Sequence, residues 1–334
     1  MRSILAAALA AMLFAWVPLP RSQAAEPRSR TLEGHPKGVS SVAFSPDSKS
    51  LASAGDDGTI KLWDVAKGAV QRTLSHGERA FAVAFSPDGK KLAVGGGVFY
   101  HGSLTLYDPQ SGEMLWKKKD IAGTDALHLA FSPDGTLVAT PGHIDDSKHH
   151  RPAVRLWDVK TGDLKRTFNC PGRMVFAVAI SPDGKCLATG GSDMILLWNL
   201  PAGTLTDKFT SPGNPWSIAF SPDSKTLASC THDAVEFLDP RNGESKRTLV
   251  KRNSGATLAA FSPDGRHFAT GSYDQVVRIW EVSSGELKQL LASDNGGGSS
   301  VAFSADGKYL AVGRRDGVVR LWNMPELLKP TAGE

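Results

Sequence analysis

The chain contains 334 residues, of which 34 are glycine, 20 are proline and 41% are hydrophobic. A chain of this length and composition can form one large all-β domain. The net charge of +4 includes Arg2 and Arg21, which lie in a candidate signal segment without acidic residues, so the rest of the chain carries about +2. So small a positive charge gives no indication of nucleic-acid binding.

Residues 1–25 are predicted to be a secretory signal peptide. Arg2 precedes an apolar run over residues 4–17, and the small residues Ala24 and Ala25 precede Glu26. The 14 residues of this run are fewer than the roughly 20 that a membrane span needs. We therefore expect cleavage, export to the periplasm or the medium, and no membrane span in the mature chain. The alternative is a segment that is retained as an N-terminal anchor.

Seven variants of Ala-Phe-Ser-Pro-Asp organise the rest of the chain. Their serines are 40 to 49 residues apart, and a period near forty is typical of repeat architectures. Four of them continue as intact Ser-Pro-Asp-Gly, which favours a type I turn, because proline presets φ at the second position while serine and glycine suit the first and fourth. The turn serines are Ser45, Ser86, Ser132, Ser181, Ser221, Ser262 and Ser304.

A second motif, similar to Trp-Asp, also occurs seven times. In six repeats a glycine follows its first residue by five positions, which predicts a hairpin turn with positive φ. Together the two motifs predict four strands per repeat, near residues 39–44, 50–54, 59–63 and 69–74 in the first. The motif begins at Trp63, Tyr107, Trp157, Trp198, Leu238, Trp280 and Trp322, and the repeats begin near residues 39, 80, 126, 175, 215, 256 and 299.

The first strand of the chain has no predicted partner of its own. Arg30-Thr31-Leu32 repeats a triplet that elsewhere, as at Arg72, follows the glycine turn and forms a fourth strand. The last repeat ends near Met324 without a fourth strand. We therefore predict that residues 28–33 complete the last sheet and close a ring.

These motifs resemble the WD-repeat β-propeller family over residues 28–324. The resemblance implies an all-β fold, namely a seven-bladed β-propeller of four-stranded antiparallel blades that is formed as a single domain by residues 26–334. It also implies a scaffold for protein–protein interaction. The first repeat is the most complete, and by resemblance His35, Ser53, Asp57 and Trp63 form the structural tetrad of that blade. Other repeats depart from the pattern: Leu238 replaces the tryptophan of the fifth and Val312 the serine of the seventh.

Catalysis is not predicted. His35, Ser53 and Asp57 have the composition of a catalytic triad, but nothing in their spacing supplies an oxyanion site or an open pocket. The chain has no phosphate-binding loop before a helix and no paired-cysteine motif. The three cysteines, an odd number, do not predict a disulfide framework. We therefore expect a non-catalytic chain without a cofactor.

A metal site is the alternative prediction. The third repeat has an insertion over residues 141–151, which brings together imidazoles and carboxylates that could bind a cation such as zinc. A solvated polar loop is the ordinary interpretation of such a segment. The alternative function is a propeller enzyme, or a small-ligand or metal binder, that uses the central mouth and this loop. The candidate ligands are His143, Asp145, Asp146, His149 and His150.

A partner-binding surface is predicted at the end of the propeller opposite the Ser-Pro-Asp turns. Five residues before the turn serine, four consecutive repeats carry a large apolar residue, whereas the others carry Ser40, Thr257 and Ser299. Either these side chains extend the core between blades, or they line a mouth for a protein partner of unknown identity. We expect a monomer whose candidate partner-binding residues are Phe81, Leu127, Phe176 and Trp216, with His232, Tyr273 and Arg315 on the same rim.

Overall fold

The computed structural model describes residues 29–98, 101–119, 121, 128–145, 150–251, 256–272, 274, 276–292 and 298–329. These residues form seven antiparallel sheets of four strands each. The elements are β1 (Ser29–Glu33), β2 (Val39–Phe44), β3 (Ser50–Gly55), β4 (Thr59–Asp64), β5 (Ala69–Ser75), β6 (Ala80–Phe85), β7 (Leu92–Val98), β8 (His101–Tyr107), β9 (Met114–Lys118), β10 (Ala130–Phe131), β11 (Leu137–Asp145), β12 (His150–Asp158), β13 (Leu164–Asn169), β14 (Ala177–Ile180), β15 (Cys186–Gly191), β16 (Met194–Asn199), β17 (Thr204–Thr210), β18 (Ser217–Phe220), β19 (Leu227–Cys230), β20 (Ala234–Leu238), β21 (Ser245–Lys251), β22 (Ala256–Phe261), β23 (His267–Ser272), β24 (Val276–Glu281), β25 (Leu287–Ala292), β26 (Gly298–Phe303), β27 (Tyr309–Arg314), β28 (Val318–Asn323) and α1 (Met324–Leu327).

Blades 1 to 6 are formed by consecutive groups of four strands from β2 to β25, and blade 7 by β26, β27, β28 and β1. Strand β1 pairs antiparallel with β28, from Ser29 opposite Trp322 to Glu33 opposite Val318. The prediction that the N-terminal strand closes the ring is confirmed, as is the seven-bladed propeller. Residue 28 and the predicted signal segment lie outside the described residues.

The apolar core lies between neighbouring blades. Between blades 7 and 1, Leu32 and Leu321 pack with Leu51 and Trp63 in one buried cluster. Burial of each such side chain stabilises the fold by about 1.5 to 3 kcal/mol. The phenylalanines before the turn serines, such as Phe44, are only half-buried and pack at the margin of these clusters. The strand-three tryptophans and strand-two leucines therefore provide more of the core than those phenylalanines do.

The Ser-Pro-Asp turns form a regular end of the ring, which we call the turn face. In the first turn Ser45 Oγ donates to Asp47 at 2.6 Å, and Asp47 accepts the amide of Lys49 at 3.0 Å. The serine-to-aspartate bond recurs in the other six turns. The fourth residue of most of these turns, such as Gly89, lies against the proline of the preceding blade. The turn chemistry that the sequence predicts thus also joins adjacent blades.

The opposite end, which we call the loop face, is irregular because two hairpins are long. Strands β11 and β12 have nine residues each and pair up to Asp145 opposite His150. Strands β7 and β8 have seven each. The expectation of a polar loop over residues 141–151 is wrong at both of its ends, because residues 141–145 and 150–151 continue the hairpin.

Two further properties concern helices and cysteines. The described part of the chain contains no helix with the length and hydrophobicity of a membrane span. Cys170, Cys186 and Cys230 are free thiols, and burial raises the pKa of Cys230 to about 12. A thiol with so high a pKa is unreactive near neutral pH.

Candidate functional site

The structure places His35, Ser53, Asp57 and Trp63 in one hydrogen-bonded group inside blade 1. Asp57 accepts from His35 Nδ1 at 3.0 Å, and Ser53 Oγ lies 2.8 Å from His35 Nε2. Trp63 Nε1 donates to the same Ser53 Oγ at 2.8 Å. Since neutral His35 donates through Nδ1 to Asp57, its Nε2 is an acceptor, so Ser53 Oγ donates to Nε2 and accepts from the indole. The group therefore joins the segment that follows β1 to the second and third strands of blade 1.

The burial of this group does not suit catalysis. Ser53 is fully buried and Trp63 is 1% exposed, so a substrate has no path to the hydroxyl. Burial lowers the pKa of His35, although its hydrogen bond to Asp57 acts the other way. Burial raises the pKa of Asp57, but hydrogen bonds from Thr59 and His35 outweigh this effect and lower it. A neutral imidazole beside a carboxylate at neutral pH fits a structural link.

Blade 2 contains a related group that the sequence motifs did not reveal. His76 is 3% exposed, and its Nε2 lies 3.1 Å from Ser103 Oγ on the third strand. Val94 stands where Ser53 stands in blade 1, and His76 Nδ1 is buried without a hydrogen-bond partner. Burial lowers the pKa of His76 to about 4, and the neighbouring Lys117 adds to this shift. A histidine one residue after a fourth strand was the available sequence signal.

In blade 7 an arginine at the end of the second strand takes the place of the histidine. In blade 1 a side chain at Gly55 would point at the imidazole of His35 and the carboxylate of Asp57. Arg314 occupies the same position of blade 7, ten residues after its turn serine, and is 5% exposed. Its guanidinium contacts Asp316, the counterpart of Asp57, at 2.7 Å. Blade 7 therefore keeps a cation–carboxylate pair although Val312 has replaced the serine.

Blade 5 departs furthest from the motif among the described blades. Leu238 stands at the tryptophan position, and the hydroxyls of Ser211 and Ser229 are buried without hydrogen-bond partners. The departure of this blade from the motif therefore leaves polar atoms unsatisfied. In blades 3, 4 and 6 the indole nitrogen of the tryptophan instead donates to a threonine, in the pairs Trp157–Thr140, Trp198–Thr189 and Trp280–Thr270.

The loop face carries an aromatic pair at the boundary of blades 4 and 5. The rings of Phe176 and Trp216 have centroids 4.5 Å apart and planes inclined by 32°. Both side chains are half-buried, and Met174 beside them is 37% exposed. Burial lowers the pKa of His128, in blade 3, to about 4, and a hydrogen bond to the backbone of Trp216 acts in the opposite direction. We call Met174, Phe176 and Trp216 the aromatic patch.

The loops that hold the aromatic patch are fixed by hydrogen bonds. Ser192 Oγ accepts the amides of Arg173 at 2.7 Å and Met174 at 2.8 Å, and donates to the carbonyl of Met174 at 3.0 Å. Ser192 and Asp193 have φ of 48° and 59°, which L residues seldom adopt. Asn214 Oδ1 accepts the amide of Asp193 at 3.1 Å, which ties this turn to the segment before Trp216. The patch is therefore built on a fixed backbone.

The other predicted rim residues differ in where they lie. Phe81 is 6% exposed, with the guanidinium of Arg79 4.9 Å from the centre of its ring, so it belongs to the core between blades and not to an exposed mouth. His232 is exposed next to Asp233, in the hairpin that follows the strand paired with Trp216. Arg315 is exposed near Gly38, at the boundary of blades 7 and 1. Leu127 and Tyr273 lie outside the described residues.

The metal prediction stays a prediction. His143 is 8% exposed, and its carbonyl accepts from Arg155 at 2.8 Å. Asp146 and His149 lie outside the described residues, and the side chains of Asp145 and His150 are not described. Within the part of the chain that the structure describes, no three histidine, cysteine or acidic side chains are grouped as metal ligands would be.

Comparison with known proteins agrees with this architecture. The model of the WD domain, G-beta repeat, matches residues 27–64, 162–199, 203–235, 243–281 and 295–323, which is more than half of the chain. It leaves residues 65–161 unmatched, which include blade 2 and the first three strands of blade 3, the two blades whose second and third strands are long.

Relatives with this repeat cover most of the chain at low identity. Nuclear distribution protein PAC1 of Arthroderma otae is 28% identical over 297 residues, which is 80% of this chain and 62% of that protein. Pre-mRNA-processing factor 19 homolog 2 of Arabidopsis thaliana is 28% identical over 260 residues, 75% of this chain and 47% of that protein. The chain thus spans only part of the length of these relatives. From the family model and the seven four-stranded blades together, we conclude that the chain belongs to the WD40-repeat family.

Proposed function

We propose that this chain is an exported, non-catalytic scaffold that binds a protein partner on its loop face, with the aromatic patch at the centre of the contact. WD40 propellers commonly serve as platforms for protein interaction, and the relatives are named as distribution and processing factors. Such likeness is a weak warrant for function by itself. The half-exposed ring pair Phe176–Trp216 carries the proposal.

The chemistry of the aromatic patch favours a protein partner. Two large rings and an exposed methionine offer apolar area, and aromatic residues and methionine are enriched in interface cores. The fixed loops around Ser192 lower the entropy lost on binding, because the bound backbone conformation already exists in the free protein. Exposed polar residues such as Arg173 and Asp193 surround the patch and would form the rim of the contact.

The contrast between the two ends of the ring supports this location. The turn face repeats one hydrogen-bonded turn seven times, as a structural role requires. The loop face differs from blade to blade, with two long hairpins and one aromatic pair. Loops on a rigid scaffold commonly carry function.

Export and a monomeric state are part of the proposal. The apolar run near the N-terminus, followed by small residues, supports export. The closed ring supports a monomer, because β1 pairs with the last blade and leaves no open blade for a second copy.

The test is a substitution of Trp216 with a matched control. Partners captured from the exported fraction by the unmodified chain would be identified, and the dissociation constant of the main partner measured. Trp216→Ala should weaken binding about 30-fold or more, since a central aromatic anchor contributes about 2 kcal/mol or more. Leu205→Ala, at a 46% exposed residue on the outer strand of blade 4, should leave binding unchanged. Equal affinities of the folded Trp216→Ala variant and the unmodified chain would overturn the proposal.

A second variant tests the alternative function. Replacing residues 141–151 by the short hairpin of blade 1 removes every candidate metal ligand. If the unmodified chain retains zinc after dialysis and this variant does not, while partner binding is equal, the metal-binding alternative replaces the scaffold.

A further inference from the structure

Adjacent blades are joined at the outer rim by a hydrogen bond that recurs around the ring. Arg30, on the outer strand of blade 7, donates to the carbonyls of Val65 at 3.0 Å and Ala66 at 2.7 Å in blade 1. These carbonyls belong to the turn between the third and fourth strands. We call this contact the joint hydrogen bond. It gives a structural role to the arginine of the recurring Arg-Thr-Leu triplet.

Five other joints have the same contact at the same position of the outer strand. The donor is an arginine, an indole or an amide, and the acceptor is always a backbone carbonyl of the next blade. The pairs are Arg72 with Gln110, Trp116 with Val159, Arg166 with Leu200 and Pro201, Arg247 with Ser283 and Ser284, and Gln289 with Leu327.

The joint between blades 4 and 5 is different. Asp207 lies opposite Leu197, as Arg72 lies opposite Leu62 in blade 1, so an acceptor replaces the donor. The corresponding carbonyls of blade 5 belong to Pro240 and Arg241. No side chain among the described residues donates a hydrogen bond to them.

Phe209 occupies part of the space that an arginine stem fills elsewhere. Its ring lies against Gly243. At the joint between blades 1 and 2, the equivalent Gly112 has the stem of Arg72 against it. Phe209 is half-buried, so one part of its ring remains accessible. An aromatic face beside a carboxylate is attractive to a cation.

The cations of this region are not directed at Asp207. Arg241 holds Asp239 through bonds of 3.0 Å and 2.7 Å, and Lys246 lies 3.7 Å from the same carboxylate. Asp207 is half-buried, and within the described residues its carboxylate has no cation within salt-bridge distance. By their positions in the repeat, a carboxylate, two carbonyls and a ring face belong to one place at the rim, the joint between blades 4 and 5.

We propose that this place binds an arginine side chain of a protein partner, which supplies the joint hydrogen bond that the chain itself lacks here. Charge complementarity carries the choice, because guanidinium groups fill the equivalent place at four other joints of the same ring. A guanidinium has enough donors to reach the carbonyls and Asp207 together. The site lies on the outer rim and is separate from the aromatic patch, so its test does not depend on that patch.

The experiment titrates the full-length, isotope-labelled chain with the peptide acetyl-Gly-Arg-Gly-amide and follows backbone amide resonances. The amides of Gly243 and Phe209 should shift saturably. The control peptide contains citrulline, which has nearly the same shape without the charge, and should bind about tenfold more weakly. Saturable shifts that spare Gly243 and Phe209, or equal responses to both peptides, would overturn the proposal.

Two variants complete the test. Asp207→Asn keeps the shape of the site and should weaken binding of the arginine peptide about tenfold. The double variant Asp207→Arg/Phe209→Leu copies Arg72 and Leu74 of the joint between blades 1 and 2. It should abolish the peptide response and raise the melting temperature. If Asp207→Asn bound the arginine peptide as the unmodified chain does, the carboxylate would have no part in recognition and the proposal would fail.

Discussion

Removal of the Ser53 hydroxyl is the sharpest test of the network in blade 1. Ser53 Oγ accepts from Trp63 Nε1 and contacts His35 Nε2, both at 2.8 Å, and all three residues are buried. Ser53→Ala leaves an indole donor and an imidazole acceptor without partners. Each buried unsatisfied group costs about 1 to 3 kcal/mol, so the two together should cost about 2 to 6 kcal/mol. For a domain of this size the melting temperature should fall by about 3 to 9 °C.

Blade 5 supplies the matched control. Ser229 lies eight residues after its turn serine, as Ser53 does, and is 2% exposed, but its hydroxyl has no hydrogen-bond partner. Ser229→Ala should therefore be neutral or slightly stabilising. Thermal and urea unfolding of the two variants would be compared with the unmodified chain. Equal losses in both variants would refute the reasoning, because the cost would then arise from packing and not from hydrogen bonds.

Three further predictions follow from the strand pairing, the sequence and the histidine of blade 2. Deletion of residues 29–33 should expose β28 as an edge and cause aggregation, measurable by light scattering; a monomeric variant with an unchanged melting temperature would contradict ring closure by this strand. N-terminal sequencing of the natively expressed protein should begin at Ala25 or Glu26, whereas a chain that retains residues 1–20 would show that no cleavage occurs. His76 should make stability depend on pH: burial lowers its pKa to about 4 in the folded chain, below the roughly 6.5 of an unfolded histidine, so its full contribution is present above about pH 6.5 and declines as pH falls toward 4. The unmodified chain should lose about 2 kcal/mol more than His76→Asn between about pH 7 and pH 5, and parallel melting curves in that range would contradict this origin.

The fold could be predicted because its determinants are local and repeated. Turn chemistry fixes one end of each blade, and alternation fixes which residues face a neighbour. Ring closure could also be predicted, since an unpaired strand at one end of the repeats matched a missing strand at the other. The pairing of residues 29–33 with the last blade followed from this count of strands alone.

The contacts that replace the motif could not be predicted in the same way. His76 finds Ser103 on a different strand from the one that supplies Ser53, and Arg314 reaches Asp316 from a position that is glycine in blade 1. The first contact depends on which side chains meet across strands, which is a property of register, and the second on a residue type that departs from the repeat within one hairpin. Phe81 and Trp216 show the same limit, because both lie five residues before the turn serine and yet differ in burial.

The long hairpin of blade 3 was missed for a reason of composition. The insertion is rich in polar residues such as Asp146 and His149, which suggested a solvated loop, and Pro141, Gly142 and Pro152 are residues that weaken strands. Proline is tolerated where its missing donor would face solvent at an edge, and the hairpin extends beyond the short β10, which pairs only with Val138 and Ala139. Propensity was therefore overridden by the continued pairing of β11 with β12.

The turn face allows a final test of the division between a structural end and a binding end. Ser48, in place of the usual turn glycine, has φ of 61° and accepts the amide of Asp306 from blade 7 at 3.0 Å. Its strained backbone costs roughly 1 kcal/mol, and its hydrogen bond contributes about the same. Ser48→Ala keeps the strain and loses the bond, so it should destabilise by about 1 kcal/mol, whereas Ser48→Gly loses both and should leave stability nearly unchanged. Neither should alter partner affinity, because the turn face lies opposite the aromatic patch. A loss of affinity in Ser48→Gly at unchanged stability would show that partners also use the turn face, and the assignment of binding to the loop face alone would have to be given up.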